Sequence, residues 1–207
     1  MKISYAITVC NELEEVSRLI NFLQEYKRVK DEIVILLDTP KASQELLDKL
    51  HRYSSANWIT LKESEFKGHF ADWKNELNNL CTGDYVFQID ADELPTPELI
   101  ETLPSIIEQN VDIILVPRSN IVVGLTNEHI KKWGWRVDDK QQINWPDYQW
   151  RIYKNTSEIK WKNKVHEILE GYKTYTTLPD NIDYHLFLHH IKSIERQEKQ
   201  NSYYNTL

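Results

Sequence analysis

Apolar runs of strand length alternate with runs of helical spacing through the first 117 residues, and few folds accept that order. Ile3 to Val9 is β-rich; Leu13, Val16, Leu19, Ile20 and Leu23 then recur at helical spacing, and Glu32 to Leu37 returns as a buried strand. The order repeats. Leu46, Leu47 and Leu50 mark a second helix, Trp58 to Leu61 a third strand, Phe70 to Leu80 a third helix with Gly83 as its C-cap, and Tyr85 to Ile89 a fourth strand. Thr96 as N-cap and Pro97 at the first helical position open a helix through Gln109, ahead of a strand at Asp112 to Pro117. Such a series predicts an α/β fold: a mostly parallel sheet with helices on both faces, and ligands bound beyond the carboxyl ends of strands where the strand order reverses.

From Arg118 the character changes. Alternation weakens, strand-like runs shorten to Trp150–Lys154 and Lys173–Thr177, and five of the seven tryptophans fall between Trp133 and Trp161. His190 to Tyr204 is charged and helix-compatible, which suits a segment packed back on the core. At 207 residues and 41% hydrophobic content the chain can bury one good core, so a single domain is expected.

One strand end carries unusual charge. In YVFQIDADELP, Tyr85 to Pro95, an apolar run stops at Asp90, Asp92 and Glu93 with only Ala91 among them. Carboxylates this crowded repel and raise one another's pKa, so the arrangement calls for a balancing cation, although a polar turn after a buried strand has the same composition. Mn²⁺ or Mg²⁺ suits an Asp-x-Asp turn, because hard cations take one or two carboxylates and complete their shell with phosphate oxygens and water.

The net charge of -7 and the lack of a basic run interleaved with aromatics argue against a nucleic-acid partner. No segment approaches the roughly 20 apolar residues of a membrane span. MKISYAITVC is too briefly apolar for a leader and reads as a strand. Cys10 and Cys81 fit no metal or disulfide spacing, which makes a reducing, cytoplasmic setting the expectation, with a membrane met only through an acceptor.

Three blocks, ITVCNELEEVSRLI, FADWKNELNNLCTGDYVFQIDADELP and WPDYQWRIYKN…WKNKVHEILEG, resemble the family 2 glycosyltransferases of GT-A fold, in particular the branch similar to lipopolysaccharide-core glucosyltransferases. The resemblance implies a Rossmann-related sheet with a nucleotide-sugar-binding half, 1–117, and an acceptor-side half with a C-terminal helix, 118–207. It implies a UDP-linked donor, a glycan or glycoconjugate acceptor and an inverting transfer.

Residue by residue, the resemblance sets Thr8, Asn11 and Glu12 in the loop bordering the nucleotide and Asp38 beside the base or ribose. Lys74 becomes a cation near the donor, Asp90 faces the ribose with Ala91 beside it, Asp92 holds the metal, and Glu93 shapes the sugar pocket or turn. Arg151 and His166 match positions near the phosphates. The family's metal-side histidine falls among His185, His189 and His190, of which His189 is expected. Where the family has Gly-Ser-Thr-Asp after the base-site acid, this chain reads Thr39-Pro40-Lys41-Ala42-Ser43, so the second acid has no counterpart.

Inversion needs a general base on the acceptor hydroxyl. Glu167 is the first choice and Asp147 the second. Trp133, Trp135 and Trp145 could offer flat faces to sugar rings, while Trp150 and Trp161 are expected in the core. Two other functions use similar residues: a nucleotidyltransferase, which ordinarily needs a Gly-rich basic loop where this chain has Asn11-Glu12-Leu13, and a carbohydrate-binding domain of the same fold without catalysis.

Overall fold

The computed structural model describes residues 1–204. Its order is β1 (Ile3–Val9), α1 (Leu13–Tyr26), β2 (Glu32–Asp38), α2 (Gln44–Ser55), β3 (Thr60–Ser64), α3 (Phe70–Asn78), β4 (Tyr85–Asp90), β5 (Glu93–Pro95), α4 (Pro97–Ile106), β6 (Ile113–Val116), β7 (Arg118–Val123) and α5 (Asn127–Trp133). There follow β8 (Gln149–Lys154), β9 (Lys160–Lys162), β10 (Ile168–Glu170), β11 (Tyr175–Thr177), β12 (Leu188–Ser193) and α6 (Ile194–Tyr204).

Seven strands form the main sheet in the order β11-β6-β8-β4-β1-β2-β3. The expected parallel arrangement holds for β3, β2, β1 and β4. A strand from the second half, β8, then enters antiparallel between β4 and β6. The chain moves from β1 outward to β3 and returns to the other side of β1 as β4, so the order reverses between β1 and β4. In register there, Thr8 lies opposite Asp90.

Period-two alternation divides the core. Ile3, Tyr5, Ile7 and Val9 of β1 pack in one cluster with Val16, Leu19, Ile20 and Leu23 of α1 and Leu99, Ile100 and Leu103 of α4. Ala6 joins Val34, Leu36 and, from α3, Ala71, Trp73 and Leu77 on the opposite face. Each fully buried Leu or Ile contributes about 1.5–3 kcal/mol, so both helix layers are held mainly by this burial.

Some boundaries differ from the sequence reading. Trp58 lies outside β3: Asn57 takes a left-handed φ of 58°, and the indole stacks on Tyr53 with ring centroids 5.4 Å apart. Gly83 does not cap α3, which ends at Asn78 with Asn79 as C-cap. Its smallness serves a close approach instead, since a Cβ there would lie 2.7 Å from the Ser4 backbone nitrogen. Thr96 is the N-cap of α4, but its hydroxyl donates to the His185 carbonyl and makes no cap bond. The segment from His190 begins as strand and becomes helix only at Ile194.

A second sheet, β5-β12-β7, stands beside the carboxyl end of β4. β12 runs antiparallel to β5 and parallel to β7, which puts Glu93, His190 and Asn120 on one rung. Among the described residues no helix is long and apolar enough to cross a membrane.

Candidate active site

The turn after β4 opens into a cleft of about 930 Å³, lined from the main sheet by Thr8, Asp38, Asp90 and Arg151, from the turn by Ala91, and from the second sheet by Arg118, Asn120 and His190. α6 closes one side through Arg196, Gln197, Lys199 and Gln200.

The three acids occupy different surroundings. Glu93, at the start of β5, is buried, and its carboxylate accepts from Arg151 Nη2 (2.5 Å), Arg118 Nη1 (3.0 Å) and the Asp90 amide (3.1 Å). It is the anchor of the turn. Asp90 accepts from the same Arg151 Nη2 at 2.5 Å, while 35% of its side-chain surface stays open to the cleft. Burial opposes its charge, but Arg151, with Lys74 and Arg118 beyond it, holds its pKa well below the usual carboxylate range. Both guanidiniums are held firmly in their charged form, Arg151 by Asp90 and Glu93 and Arg118 by Glu93 and Asp147, despite burial.

Asp92 faces the second sheet. Its Oδ2 lies 3.2 Å from His190 Nε2 and 3.4 Å from Arg196 Nη2. Burial raises its pKa, yet the His190 contact outweighs this and leaves it lowered. The expected histidine was the neighbouring one. Alternation along β12 turns His190 toward Asp92 and sends His189 to the other face, where its ring packs edge-on against Phe187 at 4.8 Å. His189 is half-buried and its pKa is lowered by burial and by His185.

A polar chain fixes His190. Asp147 carries only acceptors, so it takes the Asn120 amide N–H (2.7 Å); Asn120 Oδ1 is then left to accept from His190 Nδ1 (2.7 Å), and Nε2 points at Asp92. An ionised carboxylate and an oriented imidazole on one spot suit a divalent cation whose other ligands are diphosphate oxygens and water. Among the described residues no group of three His, Cys, Asp or Glu side chains forms a self-sufficient metal cage. Asp92 and His190 therefore fit Mn²⁺ or Mg²⁺ as a two-residue set completed by a ligand.

The two candidate bases separate clearly. Asp147 Oδ2 accepts from Arg118 Nε (3.0 Å) and Nη2 (2.7 Å) as well as Asn120, and Oδ1 accepts from Gln149 (2.8 Å). Burial raises its pKa, but Arg118 and Asn120 bring it below the usual range, so it is a weak proton acceptor. Glu167 lines the cleft and, among the described residues, pairs with Lys74 Nζ at 2.9 Å. Lys74 itself is buried, with its ammonium 4.5 Å from the centre of the Trp161 ring.

The first-loop residues divide as well. Thr8 and Glu12 reach the cleft, and Glu12 Oε2 accepts the amides of Cys10 and Asn11, both at 2.9 Å, which shapes the turn into α1. Asn11 is exposed and instead accepts from the Ser43 amide (3.0 Å), tying this turn to the start of α2. Asp38 is buried at the end of β2; it accepts the Phe66 amide (3.0 Å) and pairs with Lys41 (3.1 Å). His166 lines the cleft beside Glu167 with a left-handed φ of 55°. Of the tryptophans, Trp135 and Trp150 line the cleft, Trp73 and Trp161 do so while buried, and Trp145 lies off it, packed edge-on against Phe187 at 5.6 Å.

Sequence reasoning missed Arg118, Asn120, Lys192 and Arg196, and of the three competing histidines it preferred His189 to His190. The doubled His189-His190 was the available signal for that choice, because a strand turns only one ring of such a pair to a given side. Lys192 lines the same wall, its ammonium pushed down to about 8 by burial.

Solved structures of similar fold include residues 1–349 of S. aureus TarS in complex with UDP, at 16% identity and a TM-score of 0.63 over 92% of this chain and 60% of that one. The same TarS fragment in complex with UDP-GlcNAc aligns at 17% identity and a TM-score of 0.62, over 93% of this chain and 59% of that one. A longer TarS chain aligns at 16% identity and a TM-score of 0.61, over 92% of this chain and only 37% of its own length. The likeness is one of fold, and this chain spans less than two thirds of each. A comparison with curated protein sequences finds no match. The model of glycosyl transferase family 2 matches residues 4–188, most of the chain, and the chain belongs to that family.

Proposed function

We propose that the cleft moves a sugar from a nucleoside-diphosphate donor, UDP-linked by preference, to a hydroxyl of a glycan or glycoconjugate, with inversion and with Mn²⁺ or Mg²⁺ bound. The observation that carries this reading is the convergence of Asp90, Asp92 and His190 at the reversal point between β1 and β4. UDP and UDP-GlcNAc in the TarS structures support the choice of donor.

In this reading Thr8 and Asp38 border the base, and Asp90, braced by Arg151 but open to the cleft, accepts from the ribose hydroxyls. Asp92 and His190 would hold the cation, which when bound would supply positive charge against the departing diphosphate. His189 takes no part. Residues 1–117 supply most of the donor floor and 118–207 the acceptor side, although Arg151 and His190 cross that division. Trp135 and Trp150 offer ring faces to an acceptor sugar.

Glu167 takes the proton from the acceptor hydroxyl as that oxygen bonds to the sugar's anomeric carbon and the bond to the diphosphate breaks on the opposite face. Lys74 orients the carboxylate from one side. Glu167→Gln should lower transfer by about 10²- to 10⁴-fold while UDP affinity stays within about twofold, read by UDP release and by calorimetry. A Glu167→Gln enzyme of normal rate beside a dead Asp147→Asn enzyme would move the base to Asp147.

A further inference from the structure

Arg196 sits where two demands meet. Its Nη2 lies 3.4 Å from Asp92 Oδ2, the same oxygen that His190 Nε2 approaches, and 3.8 Å from Glu12 Oε1; its Nη1 is 2.6 Å from Glu15 Oε1. The guanidinium thus occupies the cation side of the carboxylate to which the proposed function assigns the metal. It is not locked there, because 35% of its side-chain surface is exposed. Lys192 and Lys199 line the cleft from the same strand-helix segment, so β12 and α6 present three cations to one wall.

The charges explain what such an arrangement can do. A divalent ion on Asp92 Oδ2 and a guanidinium 3.4 Å from that oxygen repel, so binding the first drives the second away. A nucleoside-diphosphate sugar brings two negative charges, and its diphosphate gains a third as the bond to the sugar breaks. Arg196, on the first turn of α6, lines the cleft in which the proposed function places that charge.

Resting on the nucleotide-sugar reading of the cleft, we propose that Arg196 is an exchange residue: it neutralises Asp92 before the metal binds, and transfers to the leaving diphosphate once metal and donor are in place. The same side chain therefore opposes the metal alone and favours the metal-nucleotide complex. A purely structural clamp between α6 and α1 would not act with opposite signs in the two cases.

Arg196→Gln in the full chain tests this, with circular dichroism and a thermal melt to confirm that it folds. Mn²⁺ alone, titrated by electron paramagnetic resonance, should bind about threefold to fivefold tighter than to the wild type, the size expected of a partly exposed ion pair removed. UDP titrated at saturating Mn²⁺ should bind about tenfold weaker, as for a lost charge-assisted phosphate contact, and Arg196→Lys should recover part of that loss. Equal Mn²⁺ affinity in wild type and variant, or a variant that weakens Mn²⁺ and UDP together, overturns the exchange. A wild type that binds Mn²⁺ but never UDP overturns the nucleotide reading instead, and the Mn²⁺ titration still decides whether Arg196 competes.

Discussion

Asp92→Ala should lose Mn²⁺-dependent tightening of UDP binding and about 10³-fold or more in transfer rate. Several kcal/mol of charge stabilisation at the departing diphosphate depends on a cation held there, and each 1.36 kcal/mol is a tenfold change in rate. His190 cannot replace the carboxylate, because Asn120 fixes its ring to approach one point and no third His, Cys, Asp or Glu completes a cage among the described residues. The loss should fall on kcat more than on stability: Asp92 sits at the cleft wall with His190 and Arg196 as its partners, while the turn itself is held by Glu93. Steady-state UDP release with a Mn²⁺ series measures it. A variant that keeps its Mn²⁺ response removes Asp92 from the metal site.

Glu93→Ala should be the most destabilising single change at the site, by about 3 kcal/mol in urea denaturation, because it takes one of two carboxylate partners from each of Arg118 and the buried Arg151 and removes the acceptor of the Asp90 amide. Glu93 accepts from Arg118 and Arg151 and from the Asp90 amide, and its own carboxylate is fully buried. The contrast is Glu170→Ala. Glu170 pairs with Lys162 between β9 and β10 with both side chains largely exposed, and such a pair is worth at most about 1 kcal/mol. Equal effects from the two variants would mean that the Arg118-Glu93-Arg151 cluster is solvated in solution. The acids differ accordingly: Glu93 braces the turn, while Asp90 and Asp92 line the cleft.

Much of the main sheet was legible because β1, β2 and β4 are short apolar runs between helices of clear periodicity, and each ends where its register requires. β3 was placed early because Trp58 reads as a strand residue, yet its indole is spent on Tyr53 before the strand begins. The second sheet was not legible at all. Its strands are Glu93–Pro95, Arg118–Val123 and Leu188–Ser193, short pieces far apart in the chain with no shared periodicity, and only their pairing brings His190 to Asp92. Arg196 shows why local pattern fails here: its closest carboxylate, on Glu15, is 181 residues away. Asp147 shows the same thing, since nothing in its own neighbours reveals that Arg118 and Asn120 take up its carboxylate.

The resemblance in the middle block located the acids, but tertiary contact divided their labour. Lys74 illustrates the same point, because a cation expected near the donor proves to be the partner of Glu167 and is sandwiched against Trp161. Its influence still reaches Asp90, whose lowered pKa it helps to set.

The most direct test of the central claim is UDP binding by the wild-type chain, titrated by calorimetry with Mn²⁺ present and again in EDTA. A two-residue metal set completed by diphosphate oxygens makes metal and nucleotide bind together, so UDP should bind at least about tenfold tighter with Mn²⁺ than without it. UDP affinity unchanged by EDTA, or no UDP binding in either condition, would contradict the account.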